Sequence, residues 1–275
     1  MKEWTTIGRV LTLCLALSGG AAFAQDEAPA APAPVAEPEA ELPSAASLFD
    51  KHTEAIGGKE KVFGVSSRLL SGTLKIFVSG EDAPRQTGIM KLTAKAPNSL
   101  IQEIVFPGQS TEQRKFDGKA GWVIKEDGTA SPMGAEELER IAVAANFYAE
   151  SDYENQFKSI ETVEQQEIED DTINVVKVVH FSGRAEAFLF SEKSGLLVGV
   201  IGTRKVGEQM GQFRRSYEDY KDFGDGILSP TIVREVVGNL MFEMTFNKVE
   251  TGIDFPEIQR PENIPDADLS GFRKP

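Results

Sequence analysis

The sequence predicts a mainly β fold with a few helices (α+β): a strongly curved antiparallel sheet, forming an incomplete β-barrel of about 11 strands, with helices covering its concave side. Three observations carry this. From Val65 to Gly252 one strand-like run follows another. Short turn signals separate the runs, among them Gly80-Glu81-Asp82, Pro97-Asn98, Pro107-Gly108 and Asp225-Gly226. Connections that short join antiparallel neighbours and leave no room for a crossover. One amphipathic helix interrupts the series and another precedes it, enough to cover one face of a sheet that must bury at least one. A sheet curved around such a cover has an inside, and an inside suggests a ligand.

The elements are justified in chain order. Residues 1–24 read as a signal peptide: Lys2 and Arg9 flank a short leading region, Val10 to Leu17 is apolar, and Ala22-Phe23-Ala24 supplies a small-x-small cleavage pattern before Gln25. The apolar stretch falls short of the roughly 20 residues a membrane-spanning helix needs. Residues 25–46 are rich in Ala, Pro and Glu, with five acidic residues and no basic one. Such a segment has too little apolar surface to offset its ordering entropy, so it reads as a disordered linker. Residues 47–275 then form a single domain, and no fixed repeat marks a propeller or solenoid.

Ser47 to Ile56 reads as a helix with Ser47 as N-cap and Gly57-Gly58 as its stop. Leu70, Leu74, Ile76 and Val78 form one face of the first strand. Gly88 to Ala94 alternates with Met90 and Leu92 inside. Ser99 to Phe106 carries Leu100, Ile104 and Phe106 on one face and Ile101 and Val105 on the other. Gln109–Phe116 and Gly121–Lys125 make a hairpin. Ala135 to Tyr148 is the interrupting helix, its stripe formed by Leu138, Ile141, Ala142, Ala145 and Tyr148. Strands resume at Lys158–Glu167, Ile173–Phe181, Ala185–Phe190, Leu196–Arg204, Met210–Lys221 and Thr231–Gly238. They precede the cleanest alternation in the chain: Leu240, Phe242, Met244 and Phe246 against Met241, Glu243, Thr245 and Asn247.

Composition excludes several functions. The net charge of −14 opposes nucleic-acid binding, which needs a basic surface. The single cysteine, Cys14, lies in the leader, and no small residue precedes it, so lipid anchoring there is not expected. Without it the chain has no disulfide and no thiolate chemistry. His52 and His180 stand far apart among apolar neighbours and read as packed histidines. No zinc-protease, nucleophile-elbow or phosphate-loop pattern occurs. Asp266-Ala267-Asp268 begins like a calcium loop, but its twelfth position falls beyond Pro275. The acidic run Glu167, Glu169, Asp170, Asp171 reads as a hairpin tip. No catalytic residue, metal ligand or cofactor is expected.

Lys95-Ala96-Pro97-Asn98 ends one strand, and Asp117-Gly118-Lys119-Ala120-Gly121-Trp122 opens another. Here the chain resembles the LolA-like family of periplasmic lipoprotein carriers, the outer-membrane lipoprotein-sorting proteins, and in particular its divergent branch. That family carries a Lys-Arg-Pro-Asn run followed by an Asp-Gly-Lys-x-x-Trp run, and the same order of helix, meander, helix and meander. The resemblance implies an incomplete β-barrel with a helical lid over an apolar cavity for acyl chains. It departs at Ala96, which stands where the family has an arginine that helps hold the lid.

The expected function is that of a periplasmic lipid or lipoprotein-acyl binding carrier or chaperone, without covalent chemistry and therefore not an enzyme. Its partners would be acyl chains and, transiently, envelope proteins, with no nucleic acid, and the protein would act as a monomer. Acyl burial needs apolar area, about 0.8 kcal/mol per CH₂. The candidate lining groups are Met90, Leu92, Ile104, Phe106, Trp122, Phe242, Met244 and Phe246, with Leu138, Ile141 and Tyr148 from the lid. The alternative is an envelope structural or protein-interaction module with a filled core. A hydrolase using scattered carboxylates is the third reading.

Overall fold

The computed structural model describes residues 41–109, 111–206 and 209–269. The expected signal peptide, Cys14 and most of the expected linker lie outside the described residues.

Thirteen strands form one antiparallel sheet: β1 (Ser67–Val78), β2 (Gln86–Lys95), β3 (Ser99–Val105), β4 (Glu112–Phe116), β5 (Gly121–Ile124), β6 (Ala130–Pro132), β7 (Ser159–Ile168), β8 (Asp171–Val179), β9 (Ala185–Ser191), β10 (Leu197–Val206), β11 (Gln209–Asp222), β12 (Leu228–Val237) and β13 (Leu240–Thr251). Their order is β6-β5-β4-β3-β2-β1-β13-β12-β11-β10-β9-β8-β7. Two meanders therefore run outward from a central seam, where the first strand pairs with the last, and β6 and β7 form the two edges of the sheet among the described residues. The sheet is curved and unclosed. At the seam β13 carries a bulge between the partners of Ser71 and Gly72. A Cβ on Gly72 would stand 1.9 Å from the Thr245 carbonyl oxygen, so this approach admits only glycine.

Helices cover two parts of the concave face. α1 (Ala45–Ala55) starts at Ser44, whose Oγ accepts the Ser47 N–H at 3.2 Å. The cap is thus three residues earlier than the sequence suggested, and Ser47 spends its own hydroxyl on the Ser44 carbonyl. α1 buries Leu48 and Phe49 against β8 to β12. Phe49 is fully buried, with Tyr153 and Phe190 each 4.9 Å away, centroid to centroid. α2 (Lys59–Gly64) is one short turn of helix.

The interrupting helix, α3 (Ala135–Ala144), is four residues shorter than its apolar stripe suggested. Beyond its cap at Ala145 the chain turns, and the Phe147 N–H leaves the helix for the Pro97 carbonyl at 3.1 Å. α4 (Tyr153–Gln156) follows after that turn. α3 packs on β5, where Leu138 and Ile141 approach Gly121 so closely that a Cβ there would meet Leu138 at 2.9 Å. Glu137 pairs with Arg114 of β4 at 2.6 Å, Glu136 with Lys205 of β10 at 3.7 Å, and Glu139 with Arg184. α3 therefore touches both meanders across the opening.

Candidate functional site: a trough along the seam

The alternation of the central strands puts one set of side chains on the concave face. On β1 these are Arg68, Leu70, Leu74 and Ile76; their partners are Ala94, Leu92 and Gly88 on β2, and Met244 and Phe242 on β13. Ile104 stands opposite Met90. Leu74, Met90, Val233 and Phe246 are buried at the bottom of this strip, while Leu70, Ile76, Leu92, Ile104, Phe106, Phe242 and Met244 pack on them and stay half-buried. Among the described residues, no helical residue joins this cluster. To one side α1 and Tyr153 of α4 close the cluster over β8 to β12, and to the other Ile141, Ala145 and Phe147 close the cluster over β2 to β4. What remains between the two covers is an apolar trough along β1, β2 and β13.

The structure brings seven of the sequence-predicted lining residues together there: Met90, Leu92, Ile104, Phe106, Phe242, Met244 and Phe246. Leu138, Ile141 and Tyr148 belong to the neighbouring cluster under α3, which meets the trough at Leu92. Tyr148 Oη donates to the Val65 carbonyl at 2.8 Å. Trp122 is a correction. Gly121 and Val123 face α3, so by the pleat Trp122 points to the convex side. It is fully buried there against Ala120 and Ile264, under the segment that follows β13. Arg260 of that segment holds Asp117 at 2.7 Å, and the Ala267 N–H donates to the Lys119 carbonyl at 2.9 Å.

The two motifs that carried the resemblance meet in space. Asp117 Oδ1 accepts the N–H groups of Lys119 and Ala120 at 2.9 and 2.8 Å, a local Asx turn. Asn98 Nδ2 donates to the Gly118 carbonyl at 3.3 Å. Ala96 packs beneath α3 in the cluster of Ile141 and Phe147. Its side chain donates nothing, but the adjacent Pro97 carbonyl takes the Phe147 N–H, so a backbone bond ties this loop to the end of the cover.

The concave face also carries charge that the sequence reading missed. Arg215 binds Glu235 at 2.9 Å through Nε and 2.5 Å through Nη2, and Arg204 binds the other oxygen of Glu235 at 2.6 Å. Burial alone would raise the Glu235 carboxyl; the charges of Arg215 and Arg204 and their hydrogen bonds outweigh it and lower its pKa. Glu186 accepts from His180 (2.9 Å) and pairs with Arg184 (3.3 Å); burial alone would raise its carboxyl, and these partners outweigh it and lower its pKa. Arg68, Glu150, Arg215 and Tyr217 are half-buried on the same face, and the Arg215 side chain is 31% exposed. Phase was the available signal. Arg68 is in register with Leu70 and Leu74, Glu235 with Val233 and Val237, and Arg215 with Phe213. A charge in step with an apolar face points inward.

Apart from these groups the chemistry is sparse. His52 is buried, and its Nδ1 accepts the Leu197 N–H at 3.1 Å. Burial lowers its pKa to about 4, so it is neutral and structural. Among the described residues no cluster of three metal-ligating side chains occurs. A depression of about 540 Å³ at Glu112, Lys125, Glu126 and Asp127 lies at the β4–β6 edge, away from the trough.

No protein-family model matches this sequence. No curated protein matches it either. Solved structures do. A LolA superfamily protein of Nitrosomonas europaea superposes with a TM-score of 0.57 at 12% identity, covering 78% of this chain and 96% of that one. A DUF1329 family protein of Desulfovibrio piger gives 0.54 at 10%, covering 77% and 95%. An outer membrane lipoprotein-sorting protein domain of Vibrio parahaemolyticus gives 0.54 at 8%, covering 78% and 95%. At such identities the likeness concerns the fold, and the fold of this chain is LolA-like: an open antiparallel barrel with helices on its concave side.

Proposed function

We propose that this chain is an exported carrier or chaperone that takes the acyl chains of a lipid or lipoprotein into the trough along β1, β2 and β13, with α3 as its lid and without covalent chemistry. One observation carries the reading. On the seam Ile104, Phe106, Phe242 and Met244 stay half-buried above the buried Met90 and Phe246, with no described helical residue in their cluster, while both flanks of the same face are closed by helices. Long hydrocarbon chains fit such a surface, since each buried CH₂ contributes about 0.8 kcal/mol. The leader pattern at residues 1–24 supports export, and the likeness to a lipoprotein-sorting domain supports an acyl cargo.

The test is native mass spectrometry of the purified protein followed by lipid extraction, with uptake of a fluorescent acyl probe measured for wild type and Ile104→Arg. Ile104 is half-buried on the trough wall, so the arginine can turn to water while its charge spoils the wall. The variant is expected to keep the wild-type circular dichroism and lose at least tenfold in uptake. Equal uptake by both, with no lipid in the extract, would favour the protein-interaction reading. That reading has its own observation, the exposed Ile89–Val105 pair on the convex face of β2 and β3.

A further inference from the structure

Arg68 differs from every other arginine on the concave face. Arg204 and Arg215 share Glu235, and Arg114 holds Glu137. Arg68 has no carboxylate within ion-pairing range among the described residues, and its Nε is sealed from water without a hydrogen-bond partner. Its guanidinium lies over the Phe147 ring, 4.6 Å from the centroid. Glu150, on the segment after α3, is the carboxyl whose field interacts with Arg68 and Arg215; burial outweighs both cations and raises its pKa. Tyr148, Tyr217 and Tyr220 complete the titratable groups coupled to these two. A guanidinium drawn out of bulk water normally finds an anion. Its planar fork fits the two oxygens of a carboxylate or phosphate.

Arg68 also stands at the end of the trough. It shares its face with Leu70, Leu74 and Ile76 on the same strand. From Arg68 to Ile76 the strand advances about 26 Å, room for a long acyl chain in extended form. Nothing else on that line is charged.

We propose that Arg68 receives the oxyanion head, carboxylate or phosphate, of an acidic amphiphile whose hydrocarbon lies along Leu70, Leu74 and Ile76. This rests on the acyl-carrier reading above and specifies the class of cargo. Arg68 reads the acid, the trough reads the chain, and Phe147 fixes the guanidinium from behind. Glu150, on the segment that follows the lid, lies within electrostatic reach of the same cation.

Isothermal titration calorimetry tests this with three probes: oleate, oleyl alcohol and inorganic phosphate. Wild type is expected to bind oleate at least tenfold more tightly than oleyl alcohol. Arg68→Gln is expected to bind the two within twofold, with the alcohol unchanged, and Arg68→Lys to keep most of the preference. The alcohol serves as the folding control within each variant. Inorganic phosphate that binds wild type but not Arg68→Gln, without any oleate preference, would assign the same site to a free oxyanion instead of a lipid head. An oleate preference equal in wild type and Arg68→Gln, or absent from wild type, overturns the proposal while leaving the carrier reading intact. Failure of both oleate and oleyl alcohol to bind takes down the carrier reading and this inference with it.

Discussion

His52 shows what a buried polar side chain contributes here. It accepts one backbone hydrogen bond from Leu197 and is neutral, with a pKa lowered by burial to about 4 against 6.5 for a free imidazole. Protonation therefore favours the unfolded chain. The stability it lends is complete above pH 6.5 and lost as pH falls toward 4, at up to about 1.4 kcal/mol per pH unit and roughly 3 kcal/mol in all. Urea titrations between pH 7 and 4 are expected to show wild type losing stability more steeply than His52→Gln. Parallel curves would mean that the imidazole reaches water. His52 was only partly legible: its place on the apolar face of α1 was readable, its acceptor role was not, because Leu197 is remote along the chain. Trp122 was misplaced for a related reason. Both faces of β5 are apolar, and the choice between them is made by Ile264 and Arg260, far along the sequence.

At the scale of elements, α3 is held by few contacts. Ile141 is its one buried residue, Leu138 and Ala142 are half-buried, and three ion pairs join its glutamates to β4, β10 and the turn before β9. Exposed pairs of this kind contribute about 0–1 kcal/mol each, whereas a buried isoleucine contributes about 1.5–3 kcal/mol. Ile141→Asp is therefore expected to speed release of an acyl probe at least about tenfold, since 1.4 kcal/mol is a factor of ten. Far-ultraviolet circular dichroism should change little, because the sheet does not depend on α3. Stopped-flow release at the wild-type rate would show that α3 is fixed core and no lid. The stripe that makes α3 was legible, but its end was not: Ala145 and Tyr148 continue the pattern, and the bond from the Phe147 N–H to the Pro97 carbonyl takes the chain out of the helix. β6 escaped notice because it is three residues long and includes Pro132, which suits an edge alone.

For the molecule as a whole, the trough exists because the sheet is joined at one seam and open at the opposite side. The periods of β1, β2 and β13 made its walls readable: four large apolar groups share the face on β1 and on β13, and Met90 and Leu92 on β2. The pairing of first strand with last was not readable, because nothing local records a partner more than 160 residues away. Gly72 is where that pairing is most constrained. A Cβ there would meet the backbone oxygen of Thr245 at 1.9 Å and the Phe246 Cα at 2.9 Å, and no side-chain rotation relieves a clash with backbone. Gly72→Val must open the β1–β13 ladder or shift its register, and a one-residue shift would turn the trough's lining outward. The expected loss is more than about 3 kcal/mol in urea denaturation, within the range of severe backbone strain and core disruption. Acyl uptake should fall with it. Gly64→Ala, with open space around its Cβ position, serves as the control and is expected within about 0.5 kcal/mol of wild type. If Gly72→Val instead unfolds at the wild-type midpoint and still takes up the probe, the two meanders do not depend on this seam, and the trough must be sustained by the helices on its flanks.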